Sequence, residues 1–399
     1  MARFKEWFQA LDELLYRNRP WWQIQPFHCI EYPWQNAALE AALDCLSDSD
    51  VASLDCNDAD LVEWLKPWFE DAEALFENTQ LPRFSARALS VPERMDYQVP
   101  GRKWQQICAF TQARPASLKT PESLLEWCSG KGHLGRLISA VDDCSVLSLE
   151  WQNALCEEGR ALASRQKVDQ EFTCADVLAA DSGQYFKRAP DAIALHACGD
   201  LHTRLLHHWS HYGGSTLTLS PCCYHLIKEE CYKPLSNQAQ AAKIQLSKDQ
   251  LSLPLQKTVT AGASVRRRRD VELQWRMAFD LWQRQWRDVD EYLPVATVRA
   301  EQLRQSFSAF AIDLAQQKGL PVPSFIDEAY WLELGARRVQ KIRRMELVTH
   351  LFRRPLEIWL VLDRVLFLEE RGAKVKLGSF CAEQLTPRNI MIHATADHH

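Results

Sequence analysis

The sequence predicts an α/β protein: a doubly wound parallel sheet in the middle of the chain, a helical N-terminal domain before it, and a helical insertion before its last strands. Three observations carry this. Between residues 121 and 225 short apolar runs alternate with helical patterns, as strands joined by crossover helices do. Of 14 glycines, 8 fall between residues 130 and 214. The first apolar run ends in a glycine turn that opens directly into a helical pattern, Leu134, Leu137, Ile138, Val141.

Taken in order, residues 1–118 are rich in Trp and acidic groups. Apolar spacings such as Phe4, Phe8, Leu11, Leu15 and Leu61, Leu65, Trp68, Phe69 fit amphipathic helices. Prolines at 82, 92, 100, 115 and 121 suggest a connecting segment with short extended pieces, and a boundary near 118. The core, 119–263, then carries five strand-like runs: Leu124 to Cys128, Ser145 to Glu150, Val168 to Thr173, Ala192 to His196 and Thr216 to Ser220. The insertion, 264–371, repeats Trp275, Phe279, Trp282 and Trp286 at helical spacing and continues in a second amphipathic run from Leu347 to Leu368. Alternation in Lys374 to Phe380 and Asn389 to Ala394 predicts two closing strands within 372–399.

At 399 residues and 46% hydrophobic, the chain is long enough for two or three domains with a large core. The N-terminus lacks an apolar run of signal-peptide length, and the most apolar stretch, Ile358 to Leu368, is interrupted by Asp363 and Arg364. Neither export nor a membrane span is expected. The thirteen cysteines are scattered, without a C-x-x-C pair, and are expected as free thiols in a reducing cytoplasm. The net charge of −5 is uneven: Glu40 to Glu77 is strongly acidic, whereas Arg266 to Arg269 and Arg337 to Arg354 are basic and offer a face for RNA.

The stretch from Leu124 to Arg136 is the most informative. Gly130, Gly132 and Gly135 satisfy G-x-G-x-x-G, and Glu150 lies 20 residues beyond the first, as a dinucleotide site would have it. Glycine lets a cofactor approach the main chain, and the helix start favours a negative ligand group. Glu126, however, stands just before the glycines. A carboxylate there suits a cationic amino group and repels a pyrophosphate, which favours S-adenosyl-L-methionine over NAD.

Strand ends supply the remaining candidates. Glu150 is placed to accept ribose hydroxyls, Trp151 to lie against an adenine or in the core, and Asp176, with Val177 beside it, to meet the adenine amino group. Leu195 to Leu201 reads Leu-His-Ala-Cys-Gly-Asp-Leu and Ser220 to His225 reads Ser-Pro-Cys-Cys-Tyr-His. Two such clusters on adjacent strand ends are more reactive than a sheet requires. Cys128, Cys198, Cys222 and Cys223 could converge on a metal, but adjacent cysteines are poor ligand spacing, so no metal is expected.

With C-S-G-K-G-x-L at Cys128 to Leu134, H-A-C-G-D-L at His196 to Leu201 and C-C-Y-H at Cys222 to His225, the chain resembles class I S-adenosylmethionine-dependent methyltransferases, whose sheet is Rossmann-like. The branch resembled includes the ribosomal RNA adenine dimethylase domain-containing and glutathione S-transferase C-terminal domain-containing proteins. It is more distantly similar to eukaryotic acceptor-stem tRNA 2′-O-methyltransferases. The resemblance covers residues 119–394, resuming in Pro355 to Ile358 and Leu362 to Glu369. It implies Glu126, Gly130 and Gly132 around the methionine moiety, Glu150 on the ribose, Asp176 near the adenine, and His196 to Asp200 with Pro221 to His225 facing the acceptor. Cys128 stands where many methyltransferases have their first glycine.

The expected activity is therefore S-adenosylmethionine-dependent methyl transfer to a macromolecule, with RNA (rRNA or tRNA) ahead of protein. His196, Asp200, Cys222, Cys223, Tyr224 and His225 are the catalytic candidates. A non-catalytic RNA-binding protein and an NAD-dependent oxidoreductase are the alternatives. A nucleophilic role for Cys222 or Cys223 would apply if C5 of a pyrimidine were methylated; a shaping role is expected instead.

Overall fold

The computed structural model describes residues 2–115, 123–257, 263–295, 298–299, 301–322 and 325–397; within them the side chains of 2 and 263–266 are not described. The expected boundary near residue 118 and the side chain of Arg266 thus lie outside the described residues. The chain divides into two compact units, one formed by Met1–Tyr16, Ala74–Val259 and Arg353–His399, the other by Arg17–Glu73 and Thr260–Phe352.

The first unit holds a seven-stranded sheet in the order β3-β2-β1-β4-β5-β7-β6. Its strands are β1 (Ser123–Trp127), β2 (Ser145–Glu150), β3 (Gln170–Cys174), β4 (Asp191–Cys198), β5 (Thr216–Cys222), β6 (Ala373–Ser379) and β7 (Ile390–Ala396). The first five are parallel, while β7 runs antiparallel between β5 and β6. With this strand order, the right-handed rule for crossovers assigns the helices linking β1, β2 and β3 (His133–Asp142, Asn153–Gln166) to one face and the helix linking β4 to β5 (Asp200–His211) to the other. Strand order reverses between β1 and β4, so the ligand crevice of such a sheet lies beyond their carboxyl ends.

Helix Gly101–Ala113 departs from the expected segmentation. Its Ile107, Phe110 and Ala113 are buried in one core with Leu124, Leu134, Leu137, Ile138, Val146, Phe380 and Met391, which makes it part of the sheet unit. Upstream of it, the extended residues around Arg83 pair with the end of β6: Phe84 N–H donates to Ser379 O and Ser379 N–H to Pro82 O. The second amphipathic run also divides. Helix Glu328–His350 ends and a new helix, Arg353–Glu369, begins in the other unit. Pro355 explains the break, since it has no N–H and its ring collides with the carbonyl four residues back.

The second unit is helical. Helix Ala263–Arg287 packs closely on Glu328–His350, where a Cβ on Gly335 would stand 2.7 Å from Gln274 O. Trp275, Phe279, Trp282, Phe307, Phe310 and Trp331 fill its core. Buried Asp280 accepts from Arg284 Nε at 3.0 Å and pairs with Arg338 Nη1 at 2.8 Å. The basic run from 337 is therefore no continuous face. Arg338 is turned inward, Arg344 donates to Leu43 O and Leu46 O, and Arg337 and Arg343 pair with Glu333 and Asp270. Further along, Arg353 is buried and Arg354 binds Glu357 and Asn389 within the sheet unit. Arg267, Arg268 and Arg269 are exposed. Among the described residues no helix is long and apolar enough to cross a membrane.

Candidate functional site

The glycine turn follows β1 directly. Cys128, Gly130 and Gly132 all have left-handed backbones, with φ of 57°, 57° and 64°, and helix His133–Asp142 starts at once. The two glycines serve different ends. A Cβ on Gly132 would stand 2.4 Å from both Gln170 Nε2 and Phe172 Cζ, so Gly132 lets the helix close on β3. A Cβ on Gly130 would meet nothing within 4 Å, so that side of the turn, at the carboxyl end of β1, is open. Between Cys128 and Gly130, the Ser129 hydroxyl is buried without a hydrogen-bond partner.

Glu126 does not face that crevice. It is buried, accepting at 3.0 Å from Gly135 N–H, at 2.7 Å from the Ser148 hydroxyl and at 3.2 Å from Gln170 Nε2. Burial raises its carboxyl to about 7, against the lowering effect of the Ser148 and Gly135 donors and of Arg136 and Lys103. Its place is the joint between β1, β2, β3 and the helix start.

Glu150 ends β2 with both oxygens engaged: Oε2 accepts from Gly130 N–H and Oε1 from Gln152 N–H, each at 3.0 Å. That contact ties the second strand to the glycine turn. Trp151 is 70% exposed beyond it, so it is no core residue. Past β3, Asp176 is exposed and caps its own turn, accepting from Leu178 N–H at 2.9 Å, while Val177 is buried. The Cys128 thiol, raised to about 12, is disfavoured as thiolate first by burial and then by Glu150, Cys198 and Asp176. The ends of β1, β2, β3 and β4 therefore converge.

On β4, pairing with β5 shifts register between Leu195 and Ala197, and the intervening His196 has φ of 66°. Its Nε2 lies 3.2 Å from Oε1 of Gln106, on helix Gly101–Ala113. Since that oxygen only accepts, Nε2 carries the proton and Nδ1 keeps the lone pair. Burial, Lys103 and Arg388 hold the imidazole down, to about 4, against the opposing pull of Cys223. His196 is neutral at physiological pH. Beyond it, Asp200 opens helix Asp200–His211; its Oδ2 accepts from Lys228 N–H at 2.7 Å and its own N–H donates to Leu226 O.

The Cys-Cys-Tyr-His turn divides its side chains. Tyr224 is buried, edge-on to His202, with Arg364 over its ring at 5.0 Å, and so packs against helices Asp200–His211 and Arg353–Glu369. Cys222 is buried and its thiol is pushed up by hydrogen bonding with Cys198 and Cys223. Cys223, half-buried at φ of 49°, is pushed the other way as the acceptor of both neighbouring thiols. His225 is half-buried, with Nδ1 covered and unpartnered. Consecutive cysteines in a strand should face opposite sides, yet these two bring their sulfurs together.

Lys103 and Gln106 were not singled out from the sequence. They lie one turn apart on helix Gly101–Ala113, three positions being the helical spacing that shares a face. Burial lowers the Lys103 ammonium, and Glu126 opposes this. The polar pair within an otherwise apolar face of Trp104, Ile107 and Phe110 was the available signal.

Residues 102–230, from this helix through β5 and the Cys-Cys-Tyr-His turn, match a methyltransferase domain family, which makes methyl transfer the class of chemistry supported for this region. Among solved structures, coclaurine N-methyltransferase bound to N-methylheliamine and SAH is similar at 13% identity and a TM-score of 0.26. The similarity covers 44% of this chain and 59% of that one, so the chain spans less than two thirds of that protein's length. No curated protein matches the chain.

Proposed function

We propose that the protein is an S-adenosyl-L-methionine-dependent methyltransferase acting on a macromolecule, RNA first. One observation carries the reading: within the segment matched by the methyltransferase domain, a glycine turn with an open side at Gly130 is tied to a carboxylate ending β2 and faces the switch point of the sheet. The cofactor supplies an electrophilic methyl group on a sulfonium. The protein's part is to hold it and align the acceptor.

The residues present fit that group. Gly130 and the unpartnered Ser129 hydroxyl offer close approach and a polar contact for its amino-acid end, Glu150 and Trp151 the sugar and a ring face, Asp176 and Val177 the base. Glu126 acts at one remove, by fixing the turn, which is why its carboxylate can be neutral without loss of binding. On the acceptor side, His196 offers Nδ1 as the proton acceptor for a hydroxyl or amine, with Gln106 holding the ring; Asp200 and His225 flank it. Tyr224, buried against His202 and Arg364, anchors the turn. RNA is supported only by the exposed Arg267 to Arg269 and by the resemblance of the strand-end motifs to RNA-modifying enzymes; a protein acceptor remains the alternative outcome of the test.

Calorimetric titration with S-adenosylhomocysteine and with NAD tests the cofactor. Tight binding of the former, weakened by Glu150→Ala and Asp176→Ala, is expected; no binding, or tighter binding of NAD, overturns the reading. Mass spectrometry of RNA and protein from cells lacking the gene then identifies the acceptor, a missing nucleoside methyl group being the expected result and a missing protein methyl group the contrary one.

A further inference from the structure

Three sulfurs stand together where β4 and β5 end. The Sγ atoms of Cys198, Cys222 and Cys223 all lie within 4.8 Å of one another, and those of Cys198 and Cys222 are 3.5 Å apart. No other group of three metal-ligating side chains gathers so closely among the described residues. The backbone makes the cluster. Cys198 and Cys222 are register partners in adjacent parallel strands, so their side chains share a face. Cys223 would point to the opposite face in a continuing strand, but its φ of 49° folds it back beside them.

We propose that Cys198, Cys222 and Cys223 form a metal site that takes Zn2+ through three thiolates. Zinc–thiolate bonds of about 2.3 Å in a tetrahedron set sulfur–sulfur separations of about 3.8 Å, and the sulfurs here, 3.5 Å apart in one pair and within 4.8 Å in all, need little movement to reach it. A disulfide would draw two sulfurs to about 2.05 Å and leave the third without purpose. Three soft ligands and no carboxylate select zinc over magnesium or calcium. Three protein ligands leave a fourth tetrahedral position open, the pattern of zinc sites that bind a water or a substrate atom. His225, two residues after Cys223, has a covered and unpartnered Nδ1. The site stands on these sulfurs alone and does not depend on the cofactor reading.

The test uses the full chain, purified without chelators under reducing conditions. Elemental analysis should find about one zinc per chain. Replacing zinc by cobalt should give thiolate-to-cobalt charge-transfer bands in the near ultraviolet and the visible bands of a tetrahedral ion. Cys198→Ser and Cys223→Ser should each lower zinc content at least about tenfold, whereas Cys231→Ser, at an exposed cysteine, should leave it unchanged. Circular dichroism on each variant shows whether it folds, and the cobalt spectrum of the unaltered protein needs no variant. The proposal is overturned if the reduced protein, reconstituted with zinc or cobalt, holds no metal and shows no thiolate band. Stoichiometric copper in place of zinc, or a Cys198–Cys222 disulfide in metal-free protein, overturns it equally. S-adenosylhomocysteine titration of the same samples separates its failure from failure of the methyltransferase reading.

Discussion

Replacing Glu126 by Gln should change how stability depends on pH. In the unfolded chain the carboxyl titrates near its ordinary 4.5; in the folded protein burial raises it to about 7. Below about pH 4.5 both states hold the proton, and the folded state keeps its full advantage. As pH rises towards 7 the unfolded chain ionises freely while the buried group holds its proton, so stability falls by about 1.4 kcal/mol per pH unit. Over the interval between the two values this amounts to about 3 kcal/mol, lost by the time pH passes 7. Glu126→Gln keeps an acceptor for Gly135 N–H and abolishes the ionisation. Gln170, whose Oε1 is buried and unpartnered, can turn its amide to receive the new donor. Urea unfolding of both proteins between about pH 5 and about pH 8 should show the wild type losing about 2.5 kcal/mol relative to the variant. Parallel curves would mean that Glu126 titrates normally, and that the donors around it outweigh its burial.

Three further outcomes follow from the same geometry. Gly199→Ala would set a Cβ 1.9 Å from the Leu226 carbonyl oxygen at a residue with φ of 51°; because the obstacle is backbone, about 2 kcal/mol or more of stability should be lost, read by thermal unfolding. Gln106→Glu would bring a carboxylate to the position now 3.2 Å from His196 Nε2 and should raise the imidazole from about 4 by roughly one to three pH units, measured by NMR of the ring protons; an unmoved value would mean the contact is not made in solution. A 5-fluoropyrimidine RNA should not trap the protein covalently, because Cys222 is buried with its thiolate disfavoured and Cys223 is folded back onto the sulfurs of Cys198 and Cys222; a trapped adduct lost in Cys223→Ala would instead make that cysteine a nucleophile.

The sheet was legible because its signal is local. Apolar runs bounded by turn residues placed all seven strands to within a few residues, and the glycine turn fixed the first crossover. What sequence reading missed depends on contacts between distant segments. A parallel strand buried on both faces reads as continuously apolar, so nothing in Leu-Leu-Glu-Trp tells which way Glu126 points, and it points inward. Helix Gly101–Ala113 carries an ordinary amphipathic pattern, and only its docking on the core brings Gln106 to His196. The arginine runs look basic in one dimension, but Asp280, Glu333 and Asp270 meet them from other turns and other helices. The break before Arg353 was within reach, since Pro355 forbids the uninterrupted helix that apolar spacing alone suggests.

The strand ends themselves argue for chemistry there. Cys128, His196 and Cys223 each take a left-handed backbone, which for a residue with a Cβ costs roughly 1–2 kcal/mol more than for glycine. The chain places glycine at positive φ close by, at Gly130 and Gly132 two and four residues after Cys128 and at Gly199 three after His196, so for those two the cheaper solution is available locally. Arg94, Gln98, Asp143, Lys167 and Asp288 take positive φ as well, so what sets these three apart is where their side chains go. Two of them visibly re-aim their side chains: Cys223 back onto Cys198 and Cys222, His196 out of the β4 ladder towards Gln106. Strain held at three neighbouring strand ends, each time by a thiol or an imidazole, is stabilised elsewhere by the packed sheet and concentrates reactive groups at the switch point. Replacing any one by glycine should consequently preserve or raise stability while removing whatever that side chain does, and a variant that instead unfolds would show that the side chain is held there for packing.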